Sequence, residues 1–376
     1  MSSNTKIFLT GTMRTGGSLL INLLSVHPDI VILNGRVHFF RFIHKRYEPL
    51  NPRNVERMIQ YQKLRLRHRM NLELDVDAIF DRIAGSEITY PALYDAMMEY
   101  FLNKTPKTIW GEYSALAWRH VPHFLKFFPG AKVVHIYRNP AGVLSSWKKL
   151  SSIPNNAYLN AIFNWIDSTN YVSEYSETLP KDKYFPIKYE EIHADPERIV
   201  RSLCDFLEVE YVETLLHQDK WAELIAVNNR ETNLVNIPRS AHEGNHVVGF
   251  SSTRSSNWQK HLERWEIALI ELLAHDQLER FDYQLSDQAY SVKDIKKGID
   301  VLSHNPLLLK QLNSLLATGQ GNDQYPTDPT DPNNWGAPNN PSEWFTDSPA
   351  ADLYFRELKE VEKQLSEKYT ESSVTA

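Results

Sequence analysis

Short apolar runs bounded by turn residues alternate along this chain with segments of helical periodicity. Strands are predicted at residues 7–9, 108–111, 132–137 and 184–188. Helices are predicted at residues 18–26, 54–70, 75–103, 121–128, 196–206 and 257–281, with another that begins near Pro140. Strands that alternate with helices favour a parallel sheet with helices packed on it. We therefore predict an α/β fold with a central, mostly parallel sheet flanked by helices.

The composition of the chain changes near residue 318. From Gly319 to Pro349 the sequence is rich in Pro, Asn, Asp and Gly, and such a segment buries too little apolar surface to fold alone. Its aromatic residues Trp335, Trp344 and Phe345 could still dock onto the main domain. We expect one domain over residues 1–318, an irregular segment over 319–348, and a charged surface helix with a tail over 349–376.

Charge and cysteine content narrow the class of protein. A net charge of −6 gives no reason to expect nucleic acid as the main partner. The single cysteine, Cys204, cannot form an intrachain disulfide, and nothing else indicates an oxidising compartment. Neither a signal-peptide pattern nor an apolar run of about 18 residues is present. We expect a soluble, cytoplasmic protein that does not bind a membrane; the sequence does not indicate its oligomeric state.

The strongest local signal covers residues 6–20, where an apolar strand runs through a glycine-bearing turn into an apolar helix. This layout directs backbone N–H groups and the positive end of a helix dipole toward one point, which suits a phosphate or sulfate. Arg14 adds a cation and Ser18 a hydroxyl. The triphosphate-binding loop keeps the spacing of Gly11 and Gly16 but needs a lysine where Gly17 stands. The pattern indicates an anion site, while an ordinary strand-turn-helix with an exposed arginine remains the alternative.

Two later strand ends carry residues suited to the same ligand. Arg138 follows the strand at 132–137, and Ser146 lies about two turns into the next helix. Both can face the carboxyl end of the sheet, where open α/β sheets bind ligands. A guanidinium group can bind a phosphate through two hydrogen bonds; a surface arginine with a helix-facing serine is the alternative. Tyr189 follows the strand at 184–188, and Arg254 lies in a polar loop before residue 257.

The glycine loop with Arg14, then Arg138 with Ser146, then Tyr189 and then Arg254 follow one another in the order of the corresponding motifs in sulfotransferases that use 3′-phosphoadenosine-5′-phosphosulfate (PAPS). The chain resembles this family over residues 6 to about 283. The resemblance implies a P-loop-like fold, PAPS as the donor, adenosine 3′,5′-bisphosphate as its product, and no metal. It implies that the 5′-phosphosulfate lies against Arg14, Thr15, Gly16, Gly17, Ser18 and Leu19. It also implies that Arg138 and Ser146 bind the 3′-phosphate, that Tyr189 lies near the adenine, and that Arg254 closes on the 3′-phosphate.

Local motifs are most similar to the heparan sulfate 3-O type. His27-Pro28-Asp29 and Val37-His38-Phe39-Phe40 match that group's pattern. Two departures are clear, because Arg36 stands where the group has its catalytic glutamate and Tyr113 where it has a lysine. Since no membrane anchor is recognised in the sequence, we expect a small soluble acceptor, modified at a hydroxyl or at an amine or guanidine nitrogen.

Sulfuryl transfer is an in-line displacement that depends on positioning and charge stabilisation, here from Arg14 and the loop N–H groups. The candidate bases for the acceptor proton are His38, Glu112 and His120. We favour His38, because it keeps its family position and because nearby Arg36 would lower its pKa and keep it neutral. A histidine packed in an aromatic cluster is the alternative for His38, and a glutamate paired with a basic residue is the alternative for Glu112. His135, within a predicted buried strand, is expected to be structural.

Three further questions stay open in the sequence. Residues 36–69 contain ten Lys and Arg residues against Glu48 and Glu56, for which we favour a solvated helix face over a site for an anionic acceptor. A nucleotide-dependent phosphotransferase (kinase) is an alternative function, although it would need Mg²⁺ and a lysine in the loop. A non-catalytic nucleotide-binding relative is another, because Arg36 replaces the usual base.

Overall fold

The computed structural model of the protein describes residues 5–70, 72–149, 156–219, 221, 249–250, 257–285, 290–321, 330–331 and 349–371. Five strands form one sheet in the order β2-β3-β1-β4-β5, and every neighbouring pair is parallel. The strands are β1 (Ile7–Gly11), β2 (Ile30–Asn34), β3 (Ile109–Tyr113), β4 (Lys132–Tyr137) and β5 (Tyr184–Lys188). The predicted α/β fold with a parallel sheet is confirmed, and β4 and β5 have the predicted bounds.

The helices cover the sheet and extend beyond it. In chain order they are α1 (Gly17–Ser25), α2 (Phe39–Phe42), α3 (Pro52–Met70), α4 (Val76–Ile83), α5 (Tyr90–Leu102), α6 (Val121–Phe127), α7 (Pro140–Lys148), α8 (Asn160–Thr178), α9 (Tyr189–Ala194), α10 (Pro196–Leu207), α11 (Arg264–Leu273), α12 (His275–Arg280), α13 (Val292–Ser303), α14 (Pro306–Thr318) and α15 (Pro349–Glu371). Short 3₁₀ turns occur at Trp118–His120, Ala157–Leu159, Glu213–Leu215 and Asn257–Lys260.

Two helices that we predicted as continuous are interrupted. The helix predicted at 75–103 is two helices, because Gly85 adopts a φ of 76° and the Thr89 side chain starts a new helix by accepting the N–H of Ala92. The helix predicted at 257–281 consists of a 3₁₀ turn, α11 and α12. Glu263 begins α11 with a capping box, and Ala274 leaves the helical conformation before α12. The apolar periodicity of the sequence continues through both interruptions, so the sequence pattern did not reveal them.

The main hydrophobic core lies between the sheet and its helices. Ile7, Phe8 and Leu9 of β1 are fully buried, as are most apolar side chains of α1. Their burial fixes the β1–α1 connection at the carboxyl edge of the sheet. A second apolar cluster joins α7 and α8 to the segment 257–318, through residues such as Phe163 and Leu269.

Helix α15 packs along α3. Arg57 of α3 lies 2.7 Å from a carboxylate oxygen of Glu362, and His68 lies 2.7 Å from one of Glu357. The prediction of a solvated basic face over residues 36–69 is therefore wrong in part, because α15 supplies carboxylates to this face. Of the segment 319–349, only residues 319–321, 330–331 and 349 are described; Trp335, Trp344 and Phe345 lie outside the described residues. The domain boundaries stay a prediction.

Candidate active site

The loop between β1 and α1 is built to present hydrogen-bond donors. Gly16 caps α1 with a φ of 112°, and no side chain caps the helix; the first N–H groups of any helix lack helical acceptors. The hydroxyl of Thr12 is buried and has no hydrogen-bond partner among the described residues. Buried polar groups are normally paired. The loop therefore suits an anionic ligand, and Thr12 is a candidate contact that our sequence analysis did not single out.

Two tyrosine rings pack against the glycines of this loop. A β-carbon on Gly17 would lie 2.5 Å from Cε2 of Tyr113 and closer still to Cζ, and one on Gly16 would lie 2.8 Å from Cε2 of Tyr189. A side chain at position 17 would overlap the Tyr113 ring. The lysine of a triphosphate-binding loop therefore has no room at position 17 in this packing.

Two arginines from different strand ends meet at the loop. Arg14 Nε donates to Ser146 Oγ at 2.8 Å, and Arg138 Nη1 donates to the backbone oxygen of Arg14 at 3.2 Å. Arg14 is exposed as a whole residue, but desolvation of its guanidinium group among its neighbours, and then the positive charge of Arg138, lower its pKa. An anion between two like charges relieves their repulsion. These residues fit the phosphate groups of a nucleotide.

Neighbouring side chains fix the position of Arg138. Its backbone oxygen accepts a hydrogen bond from Trp165 Nε1 at 2.7 Å, and its guanidinium carbon lies 4.2 Å from the centroid of the Tyr189 ring. The next residue, Asn139, caps α7, and its N–H donates to Glu190 Oε1 at 3.0 Å. Arg138 is thus held between the start of α7 and the start of α9.

The remaining loop residues have distinct environments. The Thr15 hydroxyl donates to the backbone oxygen of Thr12 at 2.6 Å, which stabilises the loop itself. Leu19 is buried, and its N–H donates to the Gly16 oxygen at 2.9 Å, so its donor is already used. Ser18 is partly exposed in the first turn of α1. Arg254 lies outside the described residues.

His38 lies at the carboxyl end of β2, two strands from the β1 loop. It adopts a φ of 49°, its ring packs over Gly35, and its Nδ1 is 3.4 Å from Ser114 Oγ. Its pKa is lowered well below the ordinary value, by burial first and then by Arg41, Arg65 and Arg36. The predicted effect of Arg36 on this pKa is confirmed, although burial is the larger cause.

Glu112 is fully buried beneath His38. Its Oε1 accepts the backbone N–H of His38 at 2.6 Å, and its Oε2 accepts a hydrogen bond from the Tyr94 hydroxyl. Burial raises the pKa of Glu112 to about 7. Both carboxylate oxygens already hold protein donors, so the contacts of Glu112 are those of a residue that positions the His38 segment.

The candidate base His120 and the histidine expected to be structural, His135, both pack against other side chains. His120 stacks on Phe40 with 4.9 Å between ring centroids, and its pKa is lowered to about 4 by burial and by the neighbouring His123. His135 is fully buried, with Nε2 2.8 Å from Ser168 Oγ, and burial lowers its pKa to about 3. The contacts of His135 agree with the expected structural role.

Across the carboxyl edge of the sheet, the candidate residues follow the strand order. His38 follows β2, Tyr113 ends β3, the Arg14 loop follows β1, Arg138 follows β4 and Tyr189 follows β5. In the described part of the chain, no group of three or more His, Cys, Asp or Glu side chains is arranged to hold a metal ion. No helix described there combines the length and the hydropathy needed to cross a membrane.

Several known proteins are similar to this chain. Zebrafish (Danio rerio) protein-tyrosine sulfotransferase 1 is 21% identical over 225 residues, which cover 57% of this chain and 56% of that protein. The chain thus matches just over half the length of this relative.

Two solved sulfotransferase domains share the fold. The one from the Synechococcus PCC 7002 olefin synthase has a TM-score of 0.50 and 21% identity, over 75% of this chain and 96% of that domain. The one from the curacin biosynthetic pathway has a TM-score of 0.51 and 18% identity, over 75% of this chain and 99% of that domain. The sulfotransferase family model matches residues 6–213, more than half of the chain. The chain therefore belongs to the sulfotransferase family.

Proposed function

We propose that this protein transfers a sulfuryl group from PAPS to a hydroxyl, or to an amine or guanidine nitrogen, of a small acceptor by in-line displacement. The observation that carries the proposal is the meeting of Arg14, Arg138 and Ser146 at the glycine loop. Two cations and a hydroxyl beside a helix N-terminus suit a ligand with two separate phosphate groups.

We propose that different residues around the loop bind different parts of the nucleotide. The N–H groups at Thr15, Gly16, Gly17 and Ser18 would hold the 5′-phosphosulfate together with Arg14. Arg138 and Ser146 would hold the 3′-phosphate, with Arg254 as a further contact proposed on the family resemblance alone. Tyr189 packs on both Gly16 and Arg138 and would form a wall of the adenine site.

PAPS would supply the sulfuryl group, and the protein would supply charge and proton transfer. Arg14 and the loop N–H groups would stabilise the negative charge that develops on the bridging oxygen. His38 would accept the acceptor proton at a ring nitrogen, because its lowered pKa keeps the imidazole neutral. Glu112 would hold the His38 backbone rather than take the proton, since its two oxygens already accept hydrogen bonds.

A non-catalytic nucleotide-binding protein is the second candidate, and the position of Arg36 favours it. The buried guanidinium at this position cannot take a proton as the family glutamate does. A kinase is disfavoured, because the Tyr113 ring takes the space of a loop lysine at position 17.

Calorimetric titration with adenosine 3′,5′-bisphosphate tests the nucleotide site. We expect Arg138→Ala to weaken binding about 30- to 5,000-fold, the range for a charged contact that leaves its partner unpaired. Arg201→Ala is the matched control, because Arg201 is exposed on α10 and pairs with Glu197 at 2.8 Å. Equal affinities in the two variants would refute the assignment.

Radiolabelled PAPS with phenol, tyramine and arginine as acceptor probes tests for transfer. We expect labelled product with a chelator present and no added Mg²⁺. Nucleotide binding with no transfer to any probe would favour a non-catalytic nucleotide-binding protein. Activity that depends on Mg²⁺ would favour the phosphotransferase.

A further inference from the structure

The backbone at His38 is held in a conformation that side chains rarely adopt. His38 has a φ of 49° and a ψ of 50°, in the left-handed region, and it precedes α2 without a side-chain cap. A residue with a β-carbon stays in this region only where the surrounding contacts impose it. The direction of the His38 ring therefore depends on the groups that bind the backbone next to it.

Two buried side chains of opposite charge type bind this backbone. Glu112 Oε1 accepts the N–H of His38 at 2.6 Å. Arg65, which is fully buried, donates from Nη2 to the backbone oxygens of Arg36 and Val37, the second at 3.2 Å. Because the C=O and N–H of a trans peptide point in opposite directions, Arg65 and Glu112 hold the peptide group before His38 from opposite sides. The orientation of the proposed base thus depends on Arg65 as well as on Glu112.

Helix α3 carries Arg65 on its buried face. Met58, Gln62 and Arg65 follow the i, i+4, i+7 spacing of one helix face, and all three are fully buried. Gln62 Oε1 accepts a hydrogen bond from Arg65 Nε at 2.9 Å, which fixes the guanidinium group relative to the helix. The position of Arg65 at the His38 segment therefore depends on the position of α3 itself.

Helix α15 binds the adjacent face of α3. Glu362 of α15 accepts hydrogen bonds from Arg57 Nε, at 2.7 Å, and from the Tyr61 hydroxyl. Tyr61 lies four residues before Arg65, so the two side chains are neighbours on the surface of α3. The contact with α15 and the contact with the His38 backbone are thus made by neighbouring residues of one helix.

Apolar burial holds α15 on α3 more firmly than the ion pair does. The side chains of Arg57 and Glu362 are 43% and 35% exposed, and ion pairs this exposed contribute little. Tyr354 and Leu365 of α15 are 1% and 3% exposed, and the Tyr354 ring lies edge to face with His68 of α3, 5.6 Å between centroids. A charge introduced at Leu365 would therefore loosen α15 from α3.

We propose that α15 is a positioning element of the active site, because by binding α3 it sets the position of Arg65, which in turn orients His38. This inference rests on the proposed function and gives a role in it to a helix from the C-terminal end of the chain. Loosening α15 should slow sulfuryl transfer and leave nucleotide binding unchanged, since Arg14 and Arg138 follow other strands of the sheet.

Leu365→Asp in the full chain tests this role. Leu353→Asp is the matched control, because Leu353 is 44% exposed on the same helix and its replacement changes the net charge equally. Steady-state assays use radiolabelled PAPS with whichever of phenol, tyramine and arginine accepts the label. We expect Leu365→Asp to lower kcat by about 10- to 10²-fold, the scale for a displaced catalytic group, and to keep the wild-type KM for PAPS. Leu353→Asp, and Leu365→Met, which keeps the position apolar, should both match the wild type.

A double-mutant cycle tests whether the effect passes through Arg65. Arg65→Lys keeps a cation but loses the planar fork of the guanidinium group, so it should also lower kcat. If α15 acts through Arg65, adding Leu365→Asp to Arg65→Lys should lower kcat little further. Fully additive losses would show that α15 acts by another route and would overturn the inference.

Histidine NMR separates positioning from stability and does not depend on sulfuryl transfer. The His38 signals, assigned by comparison with His38→Ala, should shift in Leu365→Asp and not in Leu353→Asp. Urea midpoints and the affinity for adenosine 3′,5′-bisphosphate check that each variant is folded; if Leu365→Asp is not, Glu362→Ala takes its place in every comparison. A lowered urea midpoint with unchanged His38 signals and kcat would reduce α15 to a stabilising helix and overturn the inference.

A failure of the proposed function gives a different result. If the wild type transfers label to none of the acceptors, the proposed transfer fails, and His38 signals that shift in Leu365→Asp still support the link from α15 to His38. If the wild type is active and the His38 signals of Leu365→Asp match those of Leu353→Asp, the link fails while the proposed function stands.

Discussion

Replacing Glu112 with glutamine separates two possible roles of this carboxylate. Glutamine keeps an oxygen for the His38 N–H and removes the negative charge, and the Tyr94 hydroxyl can accept from its amide. If Glu112 positions His38, we expect Glu112→Gln to keep the transfer rate within about fivefold of wild type. If Glu112 is the general base, the rate should fall by about 10²-fold or more.

The stability of the wild type relative to Glu112→Gln should depend on pH, because Glu112 is buried and titrates while glutamine does not. The pKa of Glu112 rises from the ordinary 4.5 to about 7 in the folded protein. Between these values the unfolded chain releases its proton while the folded protein keeps it, so the wild type loses stability as pH rises. At about 1.4 kcal/mol per pKa unit, the wild type should lose about 2 to 3 kcal/mol relative to Glu112→Gln between about pH 5 and pH 8.

Urea unfolding of both proteins across this pH range measures the difference. Comparing the two curves cancels the titration of the groups that Glu112 does not influence. Glu73→Gln is the control, because Glu73 is an exposed carboxylate that pairs with Arg67 at 3.2 Å. Parallel curves for the wild type and Glu112→Gln would refute the argument from burial.

Three further predictions concern the loop and the base. Arg14→Ala should lower kcat by about 10²-fold, because its charge acts on the developing bridging oxygen; a change confined to KM in steady-state assays would contradict this. His38→Ala should lower the rate by about 10²- to 10⁴-fold and keep nucleotide affinity. With His38 present, the rate should stay flat as pH falls through about 6.5, because its pKa is lowered; a near-normal kcat for His38→Ala would exclude it as the base. Gly17→Ala should cost about 1–3 kcal/mol of unfolding free energy by overlap with Tyr113, and Tyr113→Ser in the same chain should restore part of it. An unchanged urea midpoint for Gly17→Ala would show that the ring moves freely.

The sequence by itself determined the local elements that hold the proposed nucleotide site. The bounds of β4 and β5 follow from short apolar runs, and the start of α7 at Pro140 and the β1–loop–α1 unit follow from such runs together with Pro and Gly. These signals act over a few residues, so the chain carries them without tertiary contacts. Periodicity did not separate α4 from α5 or α11 from α12, because caps and positive φ angles interrupt a helix without changing its apolar pattern.

Only the tertiary structure decided how the site is assembled. The hydrogen bond from Arg14 to Ser146, the Tyr113 ring over Gly17 and the position of Arg65 behind the His38 segment each join residues far apart in the sequence. The strand order β2-β3-β1-β4-β5 brings them together, and apolar periodicity carries no information about strand order. The basic run at residues 36–69 shows the same limit of the sequence. Its charge is visible in the sequence, but the burial of some of its arginines and the pairing of others with α15 depend on tertiary packing.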